Sequence, residues 1–115
     1  MTLSEQQRLF SKLLGAFLVW IDSQGYEVVG GDWHRTADQA ALNAQAGTGI
    51  VHSLHTISLA VDLMLFKDGI YQTDSAAYEP LGEYWESLHS LCRWGGRFRP
   101  KQDGDHFSME WDGVK

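Results

Sequence analysis

Two short stretches concentrate the side chains able to hold a cation. In residues 53–63, SLHTISLAVDL, His55 precedes Asp62 by seven positions inside an otherwise apolar run, and in residues 103–107, DGDHF, Asp103 precedes His106 by three. If 59–66 is a strand, its side chains alternate, so Ala60, Asp62, Met64 and Phe66 share one face and Val61, Leu63 and Leu65 the other. Burying a lone carboxylate among such neighbours costs roughly several kcal/mol, so Asp62 requires a partner or a cation. His55 has the wrong parity to stand beside Asp62 on an unbroken strand. Either the chain bulges between them or His55 lies in the preceding loop. Catalytic zinc keeps three protein ligands drawn from His, Asp and Glu, plus a water, and a further carboxylate beside that water can act as general base. His55, Asp62, His106 and Asp103 can fill those four roles. The chemistry would be peptide-bond hydrolysis without a covalent intermediate, Asp103 taking a proton from water and handing it to the leaving amine. By spacing alone, a hydrogen-bonded core histidine and a capping aspartate fit the same positions as well.

The elements that must carry these residues are legible in the periodicity. Ser4 and Gln7 fit a capping box, and Leu9, Phe10, Leu13, Leu14, Phe17, Leu18 and Ile21 recur at helical spacing, predicting a helix from Glu5 to Gln24 stopped by Gly25. Tyr26 to Val29 reads as a short strand ending at Gly30-Gly31. Thr36 and Gln39 form a second capping box opening an alanine-rich helix that Gly47 closes, with a loop from Thr48 to Ser53. The 59–66 strand meets Lys67-Asp68-Gly69, a hairpin turn, and returns through Ile70-Tyr71-Gln72. Pro80 suits the first turn of another helix, with Leu81, Tyr84, Trp85, Leu88 and Leu91 or Cys92 on one face, ending near Arg93 before Gly95 and Gly96. Phe107, Met109 and Trp111 alternate with His106, Ser108 and Glu110 as a final strand. Helices mixed with hairpin-connected strands predict an α+β fold: one compact domain over residues 1–115, helices packed on a small antiparallel sheet.

Composition narrows the partners. Acids outnumber bases 15 to 9, a net charge of −6 that argues against nucleic acid, whose phosphates are held by Lys and Arg. No apolar run approaches the eighteen or so residues that span a bilayer, so no stable membrane association is expected. The start, Met1-Thr2-Leu3-Ser4-Glu5, lacks a basic region leading into an apolar one, so synthesis is expected to end in the cytoplasm. Cys92 is the single cysteine, which rules out an internal disulfide or a multi-thiolate zinc site. On its helix face it is expected to be a buried, inert thiol. His34, His52 and His89 are expected at the surface or in loops, Trp20, Trp85 and Trp111 in the core, and Trp33 and Trp94 beside a cleft.

SLHTISLAVDL resembles the Ser-x-His-x-x-x-x-x-x-Asp signature of the LAS-type zinc peptidases, which include D-alanyl-D-alanine carboxypeptidases, dipeptidases and phage L-alanyl-D-glutamate endolysins. WGGRF followed by DGDHF resembles their Trp-Gly-Gly and Asp-x-x-His segments. The stretch from Leu9 to Thr36 is similar to the family's opening helix, strand and Arg-bearing loop, while LFKDGIYQT and PLGEYWESL are similar to phage and prophage members. The resemblance implies the LAS, hedgehog-like fold, zinc held by His55, Asp62 and His106, and Asp103 as base. It further implies that Arg35 meets a substrate carboxylate or carbonyl oxygen, as a guanidinium fork is suited to do, that Ser53 helps hold substrate, and that Gln39 and Trp94 line the cleft. Many relatives carry Gly three residues after the first ligand. Here Ser58 stands in its place, and it is expected to adopt extended backbone. Asp105 competes with Asp103 for the base role, but the three-residue spacing favours Asp103.

The function so implied is a monomeric zinc peptidase of phage or prophage origin. It would cut the stem peptide of peptidoglycan between L-alanine and D-glutamate, with no separate wall-binding domain, after release from the cytoplasm by a separate pore. The alternatives are a D,D-carboxypeptidase or dipeptidase, and a non-catalytic wall-binding protein stabilised by zinc.

Overall fold

Helix α1 (Leu3–Ser23) is capped by Thr2, two residues ahead of the expected Ser4. Thr2 Oγ1 accepts from the Glu5 amide at 3.1 Å, and Glu5 Oε1 accepts from the Thr2 amide at 3.0 Å. A carboxylate favours this box over the Ser4/Gln7 one, because it also meets the positive end of the helix dipole. The Thr2 hydrogen bonds hold the Glu5 carboxyl below its ordinary pKa. At the other end Gly25 takes φ +80°, the left-handed conformation that closes helices. The computed structural model describes residues 1–34, 36, 42 and 53–115. The helix expected between Thr36 and Gly47, and the loop after it, lie outside the described residues.

Strand β2 (Ala60–Lys67) organises the sheet. Its second half pairs antiparallel with β1 (Glu27–Gly30), from Glu27↔Phe66 to Gly30↔Leu63. Asp68 (φ +51°) and Gly69 (φ +75°) then make a two-residue turn whose left-handed residues suit the strand twist, leading into β3 (Ile70–Tyr71). The first half of β2 pairs antiparallel with β5 (His106–Met109), and β5 with β4 (Cys92–Trp94), giving the order β1-β2-β5-β4 with β3 beside β2. The expected hairpin and antiparallel sheet are both present.

Helix α2 (Glu79–Leu88) begins with Pro80 in its first turn, as its φ favours, but stops at Leu88, short of Arg93. His89 is extended, its Nδ1 accepts from the Leu91 amide at 3.0 Å, and its carbonyl accepts from the Cys92 amide at 3.0 Å. Cys92-Arg93-Trp94 then joins the sheet as β4. A short run with apolar residues at 91, 92 and 94 satisfies both helical and strand periods, and the ladder with β5 decides between them. Cys92 is therefore a strand residue; it is buried as expected, and desolvation pushes its thiol up to about 12. β5 ends at Met109 with all four residues buried, so both its faces are covered, and Trp111 bridges Val114 instead of extending the strand.

The core lies between the helices and the sheet. Phe17 of α1 touches Phe107 of β5 (ring centroids 5.1 Å apart) and Trp85 of α2 (5.2 Å), while Trp85 Nε1 donates to the Ser108 carbonyl at 3.0 Å. Trp20 stacks on Tyr84 at 4.1 Å, joining the helices at a partly exposed edge. Among the described residues, no helix is long and apolar enough to cross a membrane.

Candidate metal centre

His55 reaches the centre from a turn, not from a strand. Ser53 Oγ accepts from the His55 amide at 3.2 Å and opens a single 3₁₀ turn, Leu54–Ile57. Ser53 is itself buried, so its hydroxyl positions a candidate ligand. The turn ends at Ser58 with φ +55° and ψ +40°. This is left-handed backbone, not the extended form expected, and it is where glycine is favoured because a Cβ crowds the following carbonyl. Ser58 Oγ hydrogen-bonds His34 Nδ1 at 3.1 Å beside that bend. The parity conflict between His55 and Asp62 is thus resolved by a turn ahead of the strand, without a bulge.

Asp62 and His106 are direct cross-strand partners on β2 and β5. The Asp62 backbone is held on its other side as well, its amide donating to the Asp32 carbonyl at 3.0 Å and its carbonyl accepting from the Gly31 amide at 2.7 Å. His106 is placed by a tight turn in which its amide donates to the Asp103 carbonyl at 3.1 Å, while the Asp103 amide donates to the Gly95 carbonyl at 2.9 Å.

Three acceptor atoms converge. His55 Nε2 lies 3.4 Å from Asp62 Oδ1 and His106 Nδ1 lies 3.9 Å from the same oxygen; all three are within 4.8 Å of one another. Tetrahedral donors on arms of about 2.0–2.2 Å stand about 3.3–3.6 Å apart, so the spacing fits a shared small cation with modest contraction. Both imidazoles are buried, and His55 Nδ1 has no hydrogen-bond partner among the described residues. Solvent reaches the cluster through Asp62 (side chain 25% exposed) and Asp103 (55%), whose Oδ2 is 3.9 Å from His106 Nδ1. Two imidazoles, a carboxylate and an open side carrying a second carboxylate form the donor set that catalytic zinc takes.

Asp105 stands close to Asp103 and Asp62 in the same cluster. Burial first, then a hydrogen bond with Asp103 and the charges of Asp103 and Asp62, push its carboxyl up to about 7. A carboxyl with a pKa near neutrality is protonated in part at pH 7, and in that form it donates a hydrogen bond to its neighbour and cannot serve as base.

Trp94, expected along the cleft, is a buried side chain. Its Nε1 donates to the Gly104 carbonyl at 2.7 Å, and the Arg97 guanidinium sits 5.5 Å from its ring. A Cβ on Gly82 or on Gly96 would stand 2.1 Å from ring atoms of Trp94, and one on Gly95 would stand 2.0 Å from the Asp103 carbonyl oxygen. The ring is therefore clamped between two glycines and supports the turn that carries Asp103 and His106. Gly82 and Ser75, whose Oγ accepts from the Gly104 amide at 3.1 Å, were not found by sequence reasoning, because nothing in a helical period marks them. Arg35, Gln39 and His52 lie outside the described residues.

Residues 46–109 match the protein family described as D-alanyl-D-alanine carboxypeptidase, a span that contains His55, Asp62, Asp103 and His106. Among solved structures, the crystal structure of Serratia marcescens L-Ala D-Glu endopeptidase ChiX is similar, with a TM-score of 0.64 and 19% sequence identity over 72% of this chain and 66% of that one. At that identity the likeness is one of fold, and the chain spans a little under two thirds of that protein's length. No curated protein in the comparison matches the chain.

Proposed function

The chain belongs to the D-alanyl-D-alanine carboxypeptidase family of peptidases, and from that premise we propose that it is a zinc metallopeptidase cutting the stem peptide of peptidoglycan between L-alanine and D-glutamate. The observation that carries the reading is the convergence of His55 Nε2, Asp62 Oδ1 and His106 Nδ1 on one point, with Asp103 on the solvent side. In this reading those three side chains hold the ion. When bound, zinc lowers the pKa of a coordinated water toward about 7 and polarises a carbonyl.

The remaining steps belong to the chain's own groups. Asp103 Oδ2 takes the proton of the attacking water as the new C–O bond forms, then delivers it to the amine as the C–N bond breaks. Asp105, hydrogen-bonded to Asp103, helps fix the direction in which that carboxylate points. Trp94 and Gly95 keep the turn in place, so that a displacement of about 1 Å, enough to cost on the order of 100-fold, does not occur. Arg35 is assigned to a substrate carboxylate, and Gln39 to the cleft wall, on the family resemblance. The setting proposed is lysis by a phage or prophage, with a monomer made in the cytoplasm and released to the wall by a separate pore.

A D,D-carboxypeptidase is the second reading, favoured by the description of the matched family. The similar fold of an L-Ala D-Glu endopeptidase supports the first. Incubating purified peptidoglycan with the zinc-loaded protein and identifying new termini by mass spectrometry separates them. New amino-terminal D-glutamate is the expected product. Released D-alanine selects the carboxypeptidase, and no product at all removes the enzyme reading.

A further inference from the structure

Asp103 owes its place to a segment with little of its own to hold it. Its amide donates to the Gly95 carbonyl at 2.9 Å, and Trp94 Nε1 donates to the Gly104 carbonyl at 2.7 Å, so the turn that carries the candidate base hangs on residues 94–97. The Gly96 carbonyl accepts from Gln102 Nε2 at 2.9 Å, one residue ahead of Asp103, which couples segment and turn again. Two of the four residues are glycines, whose backbone costs the most entropy to order. A Cβ at Gly95 would stand 2.0 Å from the Asp103 carbonyl oxygen, and one at Gly96 would stand 2.1 Å from the Trp94 ring, so no bulkier residue can stiffen the segment from within. It has to be held from outside. β4 ends the strand order, and the Trp94 amide takes a side-chain partner: Glu86 Oε2, from α2, accepts from it at 3.3 Å. The other oxygen of the same carboxylate, Oε1, accepts from Arg97 Nε. One carboxylate thus grips both ends of the four-residue segment.

An ion pair with an exposed partner contributes little to stability by itself, and the Arg97 side chain is 53% exposed. What sets Glu86 apart is its second bond, a charge-assisted one to a backbone amide, with Arg97 fixing the direction of the carboxylate. From Glu86 to the base the path is short: carboxylate to Trp94 amide, along the backbone to the Gly95 carbonyl, and on to the Asp103 amide. We propose that Glu86 is a positioning residue for Asp103, tying the Trp94–Arg97 segment to α2 and so fixing where the base stands. The proposal rests on the reading of Asp103 as general base and names the group that aims it. A base must come within hydrogen-bond reach of the attacking water and then of the leaving amine, and a misplacement of about 1 Å costs on the order of 100-fold. His106 is held separately, by its ladder with Asp62, so loss of Glu86 should fall on kcat and leave zinc content and KM near their wild-type values.

The test has two readouts. In the first, amide hydrogen exchange is followed by NMR in the zinc-loaded protein. Glu86→Ala should speed exchange of the Asp103 and His106 amides by roughly tenfold or more, as a local opening does, while Leu65 and Phe107 in the core of the sheet keep their wild-type rates. Arg97→Ala, at an exposed position, removes one end of the grip; it should move the same two amides in the same direction and keeps the test open should Glu86→Ala fail to fold. In the second, Glu86→Ala should lower kcat roughly 10–100-fold with KM unchanged, and Glu86→Gln, which keeps one acceptor oxygen of the two, should fall between. Placed in an Asp103→Ala background, Glu86→Ala should cost nothing further, because the group it aims is gone. An equal loss in that background, or exchange that quickens uniformly across the sheet, overturns the proposal in favour of a general role in stability. The exchange readout needs no substrate, so the two layers separate. Unchanged exchange at Asp103 sinks the positioning role whatever the activity; faster exchange there, in a protein whose wild type cuts no peptidoglycan, upholds the grip on the turn and sinks the peptidase reading.

Discussion

At the scale of single residues, the division of labour between ligands and base is the sharpest point to test. His55, Asp62 and His106 point their acceptor atoms at one another, whereas Asp103 stands at the exposed side, 3.9 Å from His106. Asp103→Ala should therefore lower kcat by about 10²–10⁴-fold, the usual worth of a general base, while zinc per chain measured by atomic absorption stays near one. Loss of zinc together with activity would move Asp103 into the ligand set. The meeting of these four side chains was legible, because a carboxylate inside an apolar strand and a histidine beside an aspartate are costly unless they find partners. The burial of Trp94 was not legible, because sequence gives a residue's neighbours along the chain and not the α2 glycine, Gly82, that closes on its ring. Cys92 carries a prediction of its own. With its thiol pushed up to about 12 by burial, thiolate is scarce in the folded protein at neutral pH. Iodoacetamide should label it slowly at pH 8 and quickly in denaturant, read by mass spectrometry; equal rates would place the thiol at the surface.

At the scale of elements, the fit of α2 against the Trp94-Gly95-Gly96 segment decides whether the Asp103–His106 turn can exist. Gly82 is in a helix interior, where replacing glycine by alanine ordinarily gains up to about 1 kcal/mol. Here the new Cβ would stand 2.1 Å from the Trp94 ring, and overpacking of that kind costs about 1–3 kcal/mol. The steric effect wins. Gly82→Ala is expected to lower Tm by several degrees, at about 4–8 °C per kcal/mol for a domain near this size, and to depress kcat as the turn shifts. A higher Tm in a thermal melt would mean that the ring relaxes freely and supports nothing. Elements with local signals were legible: Pro80 at a helix start, Asp68-Gly69 at a hairpin, and the amphipathic run of α1. The end of α2 was not, since residues 91–94 suit a helix by period and became a strand only because β5 offers an edge to pair with. The left-handed Ser58 was equally hidden, because the bend is imposed by the need to swing His55 back over β2.

At the scale of the whole molecule, the candidate metal centre draws on three parts of the chain that the β2–β5 ladder brings together. His55 comes from a turn ahead of β2, Asp62 from the middle of β2, and His106 from the start of β5, whose adjacency to β2 is a pairing distant in sequence. An ion held by these three side chains is held only while the three elements stay assembled. Zinc bound as proposed must therefore appear as folding stability. At a free zinc concentration 100 times its Kd the gain is about 2.7 kcal/mol, which for a domain of this length corresponds to a Tm higher by roughly 10–20 °C. Stripping the ion with a chelator should remove that increment, and His55→Ala or His106→Ala should lower both zinc content and Tm while abolishing the response to chelator. The Asp103→Ala variant is expected to keep the response in full, since the base contributes to turnover and not to the grip on the ion. A melting temperature indifferent to chelator in the wild-type protein would mean that the three side chains meet without a cation, and the hydrolytic reading would lose its foundation.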